Sequence, residues 1–362
     1  MKKFAFMIHP IEVDDVARKF GLAGKLPNSW VERLTRMLPP LKVSEIRGVN
    51  SQYGKTEGMF VGCPLTTSQM LSLPENYVLK RIIQTGKLAQ KHGADILGLG
   101  AMTSVVGDAG VTVAKNLDIA VTTGNSYTVY TAIEGAIKAA EIMGMDIPKT
   151  KVAIVGATGA IGAVCAQLMA NKTNNIILIA RDEKRMSIVA EKVHTETGVL
   201  PQISTDVSKS LRQADIVIAV TSAVDTVIKA EDLKPGVVVC DVARPRDVSK
   251  QVAETRDDVL VIEGGVVEIP GDVNFNFNFG YERNTAYACM AETMILAMEG
   301  RVENYTLGRD LKVEQVLQIG ELAKKHGFKL AGFRSFERPV SPSQIEAIKN
   351  RVYEKKEVAM QL

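Results

Sequence analysis

The chain has 362 residues, 46% of them hydrophobic and 23% charged, with 44 lysines and arginines against 41 aspartates and glutamates. That length accommodates two domains with separate cores, the composition excludes a disordered or fibrous protein, and the even charge excludes a global field for nucleic acid. Only a run of five apolar residues, 4–8, precedes His9 and Pro10, too short for a signal-peptide core, and no later run approaches the roughly 18 residues of a membrane span, so a cytoplasmic location is expected.

In chain order, residues 4–8 read as a first strand and 14–20 as a short helix ended by Gly21; a second helix over 30–37 stops at Pro39 and Pro40. Strands follow over 43–47 and 58–62. The segment 75–92 has apolar Val78, Leu79, Ile82, Ile83 and Leu88 at helical spacing, with Lys80, Arg81, Lys87 and Lys91 on the opposite face. Buried strands over 95–100 and 119–122 precede a long helix over 129–145. Residues 1–125 therefore form a small α/β domain.

From Lys151 the rhythm is strand and helix in alternation, with strands over 152–155, 175–179, 215–220, 236–241 and 259–262. Crossovers of that length imply a doubly wound parallel sheet, a Rossmann-like domain over 126–283. Residues 270–280 read as an extended loop or strand. A helix over 287–299, capped by Asn284 or Thr285, opens a C-terminal helical segment over 284–362 that continues with helices over 311–326 and 341–356.

The first strand of the parallel sheet runs into Gly156-Ala-Thr-Gly-Ala-Ile-Gly162. Glycines at that spacing between a strand and a helix let backbone N–H groups approach a pyrophosphate, so Gly156, Thr158, Gly159, Ile161 and Gly162 are assigned to a dinucleotide. About 20 residues on, the second strand ends at Arg181, with Arg185 one turn later. A carboxylate there accepts from a free ribose 2′-OH, whereas arginine pairs with a 2′-phosphate, so NADPH is the expected cofactor. The competing reading is a solvated charge run through Asp182 and Glu183. Thr221, Ser222, Gly264 and Gly265 follow later strands at the same carboxyl edge, either as cofactor contacts or as ordinary turn residues.

Cys63, Cys165, Cys240 and Cys289 are widely spread, without a CxxC pair, and give neither a disulfide framework nor a metal site. Cys165 and Cys240 fall inside a helix and a strand. Cys289 lies near a helix N-terminus, whose partial positive charge favours the thiolate. A thiolate can attack a thioester and hold its acyl group for reduction. Flanking Ala286, Ala288 and Ala291 equally suit a core cysteine. Met290 and Met294 can line a pocket for an alkyl chain or fill core, and His9 alone of the four histidines stands at a strand end facing a cleft, with a satisfied surface or core histidine the competing reading for each.

Several runs together carry a resemblance: residues 122–130 (TTGNSYTVY), the glycine loop, Ile179-Ala-Arg181, residues 263–268 (EGGVVE), residues 287–292 (YACMAE) and residues 320–328 (GELAKKHGF). In order, from about residue 4 to 328, this set resembles the cyanobacterial-type long-chain acyl-[acyl-carrier-protein] reductases. The resemblance implies NADPH-dependent reduction of a fatty acyl thioester to an aldehyde through an acyl-enzyme on Cys289, the donor being an acyl carrier protein or acyl-CoA. The basic face of the 75–92 helix is then a docking candidate for an acidic carrier. The segment 107–118 is shorter than in that family and the tail after Phe328 longer, which bears on chain length and partner. Alternatives are a shikimate-dehydrogenase-like enzyme acting on a small hydroxy acid, which lacks its Lys/Asp segment here, a glutamyl-tRNA reductase, suggested by residues 240–247, and a non-catalytic NADP-binding protein.

Overall fold

Alternating apolar residues organise two sheets, each covered on both faces. The computed structural model describes residues 1–13, 15–16, 27–221, 223, 226–243, 246–280, 283–336 and 338–361. Of the short helix expected over 14–20, only residues 15 and 16 are among them, and both are helical. The fold is α/β, and the chain divides into two units: Met1–Tyr127 with Glu268–Asp310 and Gln318–Lys329, and Thr128–Val267 with Leu311–Leu317 and Leu330–Leu362. Where the sequence suggests three consecutive domains, residues 284–362 are instead shared between two units.

In the first unit a six-stranded sheet runs in the order Gly271–Asn274, Leu41–Ser51, Gly54–Gly62, Lys3–Ile8, Ile96–Leu99, Ala120–Thr122. The last four strands are parallel, and Leu41–Ser51 pairs antiparallel with Gly54–Gly62 as one long hairpin. The sequence shows only the two ends of this hairpin, because register shifts interrupt the alternation between them.

Ala5, Met7, Met59, Val61, Leu97 and Leu99 point to one face, where Val78, Ile82 and Ala89 of the helix Glu75–Lys91 close a core. On the other face Phe4, Phe6 and Phe60 alternate with them, and the helix Ala288–Met298 packs there, called below the cysteine helix. The packing is close: a Cβ on Gly98 would stand 2.1 Å from Thr293 Oγ1 of that helix.

The second unit has a six-stranded sheet in the order Leu260–Glu263, Val238–Asp241, Ile216–Ala219, Lys151–Val155, Asn175–Ile179, Gln202–Ser204. All neighbours are parallel. Numbered along the chain this is the doubly wound order 3-2-1-4-5-6. Its third strand, Gln202–Ser204, is absent from the sequence reading because three residues are too few to show a period. Val152, Ile154, Leu178, Ile218 and Ile262 meet the helices Asn125–Ile142, Ala160–Ala170 and Glu183–Thr197, while Ala153, Val155, Ile177, Val217 and Val239 fill the opposite core.

Candidate active site

Cys289 is the second residue of the cysteine helix, whose N-cap is Tyr287. The expected cap is therefore corrected. Thr285–Tyr287 is a short strand, and Asn284, at φ +64°, uses its side-chain oxygen to accept the Val273 N–H at 2.8 Å. The helix begins later than the sequence suggests, so Cys289 stands nearer the N-terminal end of the peptide dipoles, where negative charge is favoured. Cys63, Cys165 and Cys240 are buried, whereas Cys289 is half-exposed. Burial pushes the Cys165 thiol up to about 12 and raises that of Cys63, which leaves neither suited to act as a thiolate.

The backbone of Cys289 rests on Gly124. At φ +76°, Gly124 is in the left-handed region, and a Cβ there would lie 2.3 Å from both Cα and Cβ of Cys289. Only glycine satisfies both conditions. Gly124 immediately precedes the helix Asn125–Ile142 and so offers no side chain to cap it. Glu292, one turn after Cys289, takes that role. Its fully buried carboxylate accepts from Tyr127 N at 2.8 Å, from Thr306 Oγ1 at 3.0 Å and from Thr122 Oγ1. Burial raises the Glu292 carboxyl above its ordinary range, and these hydrogen bonds oppose the rise. Glu292 thus ties residues 122–127 and the segment at Thr306 to the turn that carries Cys289. The sequence gives no sign of this beyond its place in the 287–292 run.

Cys289, Tyr287 and Met290 line an apolar cavity of about 250 Å³ at the carboxyl ends of three parallel strands of the first unit. Ile8, Gly62 and Gly100 form its floor, Leu38, Leu41 and Val43 one side, and Phe277 and Phe279 another. His9 also lines it, as the sequence suggests. Its Nδ1 is 2.9 Å from Pro10 O and its Nε2 accepts from Met102 N–H at 3.1 Å, an arrangement that suits the neutral ring protonated on Nδ1. Burial lowers its pKa to about 4. Met294, the other pocket candidate, is fully buried core.

In the second unit, Gly156, at φ +87°, turns the chain directly after Lys151–Val155. Gly162 packs so closely that a Cβ would be 2.3 Å from Gly156 O. Gly159 is the N-cap of Ala160–Ala170 and carries no capping side chain, and a Cβ on it would meet nothing nearer than Gly156 O at 3.4 Å. The N–H groups of Ala160, Ile161 and Gly162 begin that helix, so they have no intrahelical acceptor. A bare helix start at the carboxyl edge of a parallel sheet fits a dinucleotide pyrophosphate.

Arg181 follows the neighbouring strand at the same edge, exposed and without a hydrogen bond or ion pair among the described residues. Arg185 lies 3.7 Å from Asp182, the N-cap of its own helix. Thr221 is also at this edge, but its N–H and hydroxyl are both committed to Asp247, and its oxygen accepts the Ala223 N–H. Gly264 and Gly265 follow Leu260–Glu263, and a Cβ on Gly264 would meet Val242 at 2.6 Å. Ser222 lies outside the described residues. On the helix Glu75–Lys91, Lys80, Lys87 and Lys91 are exposed, whereas Arg81 donates to Leu38 O and to Gln84 and is part of the packing.

Comparison with known proteins places these features. The family described as shikimate / quinate 5-dehydrogenase matches residues 138–263, inside the second unit. The chain is similar to the aminotransferase PigE of Serratia sp., 29% identical over 368 residues covering 96% of this chain and 42% of that protein. It therefore spans less than half the length of that relative. It is similar to the long-chain acyl-[acyl-carrier-protein] reductase of Synechococcus elongatus, 30% identical over 316 residues covering 80% of this chain and 87% of the other. Glutamyl-tRNA reductase of Acaryochloris marina is 23% identical over 192 residues, covering 51% of this chain and 42% of its own.

Proposed function

The chain belongs to the long-chain acyl-[acyl-carrier-protein] reductase family, with a nicotinamide-dependent oxidoreductase sheet in its second unit, and on that premise we propose that it reduces an acyl thioester to an aldehyde with NADPH, through an acyl group carried on Cys289. One observation carries the reading: the half-exposed cysteine stands at a helix N-terminus and in the wall of an apolar cavity.

The Cys289 thiolate attacks the thioester carbonyl, and the tetrahedral oxyanion is stabilised by the dipole of the cysteine helix. Collapse expels the donor thiol and leaves the acyl group on Sγ, with its alkyl chain in the apolar cavity. Gly156, Thr158, Gly159, Ile161 and Gly162 would hold the cofactor pyrophosphate, Arg181 and Arg185 the 2′-phosphate, and Gly264 and Gly265 would border the nicotinamide. When bound, the cofactor supplies the hydride that takes the acyl group to the aldehyde level. Release of the aldehyde returns Cys289 as a thiolate. The exposed Lys80, Lys87 and Lys91 suit an acidic acyl carrier protein, with acyl-CoA the other donor.

Incubation with an acyl thioester and no cofactor, followed by intact mass measurement, tests this. An acyl adduct is expected, absent in Cys289→Ala, and thioester-dependent NADPH oxidation in that variant should fall by about three orders of magnitude or more. No adduct on any thiol would overturn the reading. A second reading, a shikimate-dehydrogenase-like enzyme, has in its favour the match over residues 138–263. That match leaves out Cys289, and the cavity beside Cys289 is lined by no lysine among the described residues.

A further inference from the structure

The segment 274–279 reads Asn-Phe-Asn-Phe-Asn-Phe, an alternation that the reaction itself does not require. The chain bends at residues 276–277 and 279–280, with Asn276 at φ +48°. The three phenylalanines gather on Phe60: ring centroids lie 5.8 Å away for Phe275, 6.2 Å for Phe277 and 5.4 Å for Phe279. Phe275 and Phe279 meet edge to face at 4.8 Å. The asparagines hold the backbone. Asn274 accepts the Asn276 N–H at 2.9 Å, Asn278 accepts the Gly280 N–H at 2.9 Å, and Asn276 donates to Glu45 O at 3.1 Å. Ser44 donates to Phe275 O at 2.8 Å, which fixes the loop to the hairpin a second time. Phe275 is buried, while Phe277 and Phe279 continue into the cavity wall beside Cys289.

A wall built of interlocked rings on a braced loop does not yield to a ligand as a lone methionine would. The volume it bounds is small. An apolar cavity of about 150 Å³ holds a six-carbon benzene ring, so about 250 Å³ scales to a chain of roughly ten carbons.

We propose that Phe277 and Phe279 determine acyl chain length, restricting Cys289 to medium-chain thioesters near decanoyl and disfavouring hexadecanoyl. This rests on the reading of Cys289 as the acyl acceptor.

The test uses the full chain without cofactor and measures the rate of adduct formation on Cys289, by intact mass, with hexanoyl, decanoyl and hexadecanoyl thioesters of coenzyme A. Decanoyl should label at least about tenfold faster than hexadecanoyl, the discrimination available to a hydrophobic pocket. Phe279→Ala and the milder Phe279→Leu and Phe277→Leu should remove that preference. Phe279→Trp should slow decanoyl while sparing hexanoyl. Equal labelling by decanoyl and hexadecanoyl in the unaltered protein, or a length profile unchanged in the folded leucine variants, overturns the proposal while leaving the acyl-enzyme intact. Absence of an adduct at every length overturns the acyl-enzyme reading and this proposal with it.

Discussion

The glycine loop of the second unit and the cysteine turn of the first are both helix N-termini, yet they are made in opposite ways. The loop is local: within seven residues, glycine supplies the turn at Gly156, the close packing at Gly162 and the bare cap at Gly159. The cysteine turn is assembled from afar. Its floor is Gly124, its brace is Glu292 bonded to Thr122, Tyr127 and Thr306, and its cavity draws on five further segments. Sites that present backbone to a ligand can be written in one short stretch, whereas a site that shapes a cavity depends on the fold being complete.

Two alanines sharpen that contrast. Gly124→Ala places a methyl against Cys289 at a positive φ, so left-handed strain and overpacking together should cost about 3 kcal/mol in denaturant unfolding. Labelling of Cys289 should fall at least about tenfold, since the nucleophile is displaced by a contact of 2.3 Å. Gly159→Ala, at φ −78° with no contact nearer than 3.4 Å, should change stability by no more than about 0.5 kcal/mol and yet weaken cofactor binding in a fluorescence titration. Equal stability losses in the two variants would erase the distinction.

His9 gives the first unit a pH signature. The unfolded chain takes up a proton on this ring below about pH 6.5, while the folded site refuses it until about pH 4, so acid favours unfolding across that window. Stability should therefore be lost as pH falls from about 6.5 to about 4, by up to about 3 kcal/mol at 1.4 kcal/mol per pH unit. Urea midpoints at several pH values should show a shallower acid loss in His9→Gln. Identical slopes would mean that His9 titrates normally.

Cofactor choice is tested in the second unit. Arg181→Ala should weaken NADPH by roughly thirtyfold, about 2 kcal/mol for a lost charge-assisted contact, and leave NADH nearly unchanged. A parallel loss for both cofactors would remove Arg181 from the 2′-phosphate.

How much of this could be read beforehand follows the same division. Five of the six parallel strands in the second unit are apolar runs bounded by turns, and the glycine spacing marks their ligand edge; Gln202–Ser204 falls below the length at which period can be seen. In the first unit, Asn284 looks like a helix cap because cap and hairpin brace use the same side-chain oxygen, and only the backbone φ of +64° separates them. Thr221 looks available to a ribose because its commitment to Asp247 lies 26 residues away. Glu292 carries no local sign beyond its place in the 287–292 run. Its partners lie 14, 165 and 170 positions distant, and a buried carboxylate in an apolar helix reads as an anomaly until they are brought together.

The first unit begins with Met1–Tyr127 but is completed only by Glu268–Asp310 and Gln318–Lys329. As a ribosome extends the chain at roughly 5–20 residues per second, domains ordinarily fold in the order they emerge. Here the strands carrying Phe4, Phe6 and Phe60 emerge first and stay without the cysteine helix until some 170 further residues have been added, from Tyr127 to Met298. The second unit has most of its sheet by then. The nascent N-terminal sheet thus presents an aromatic face during synthesis, and expression of residues 1–127 alone should yield aggregates where the full chain remains in solution.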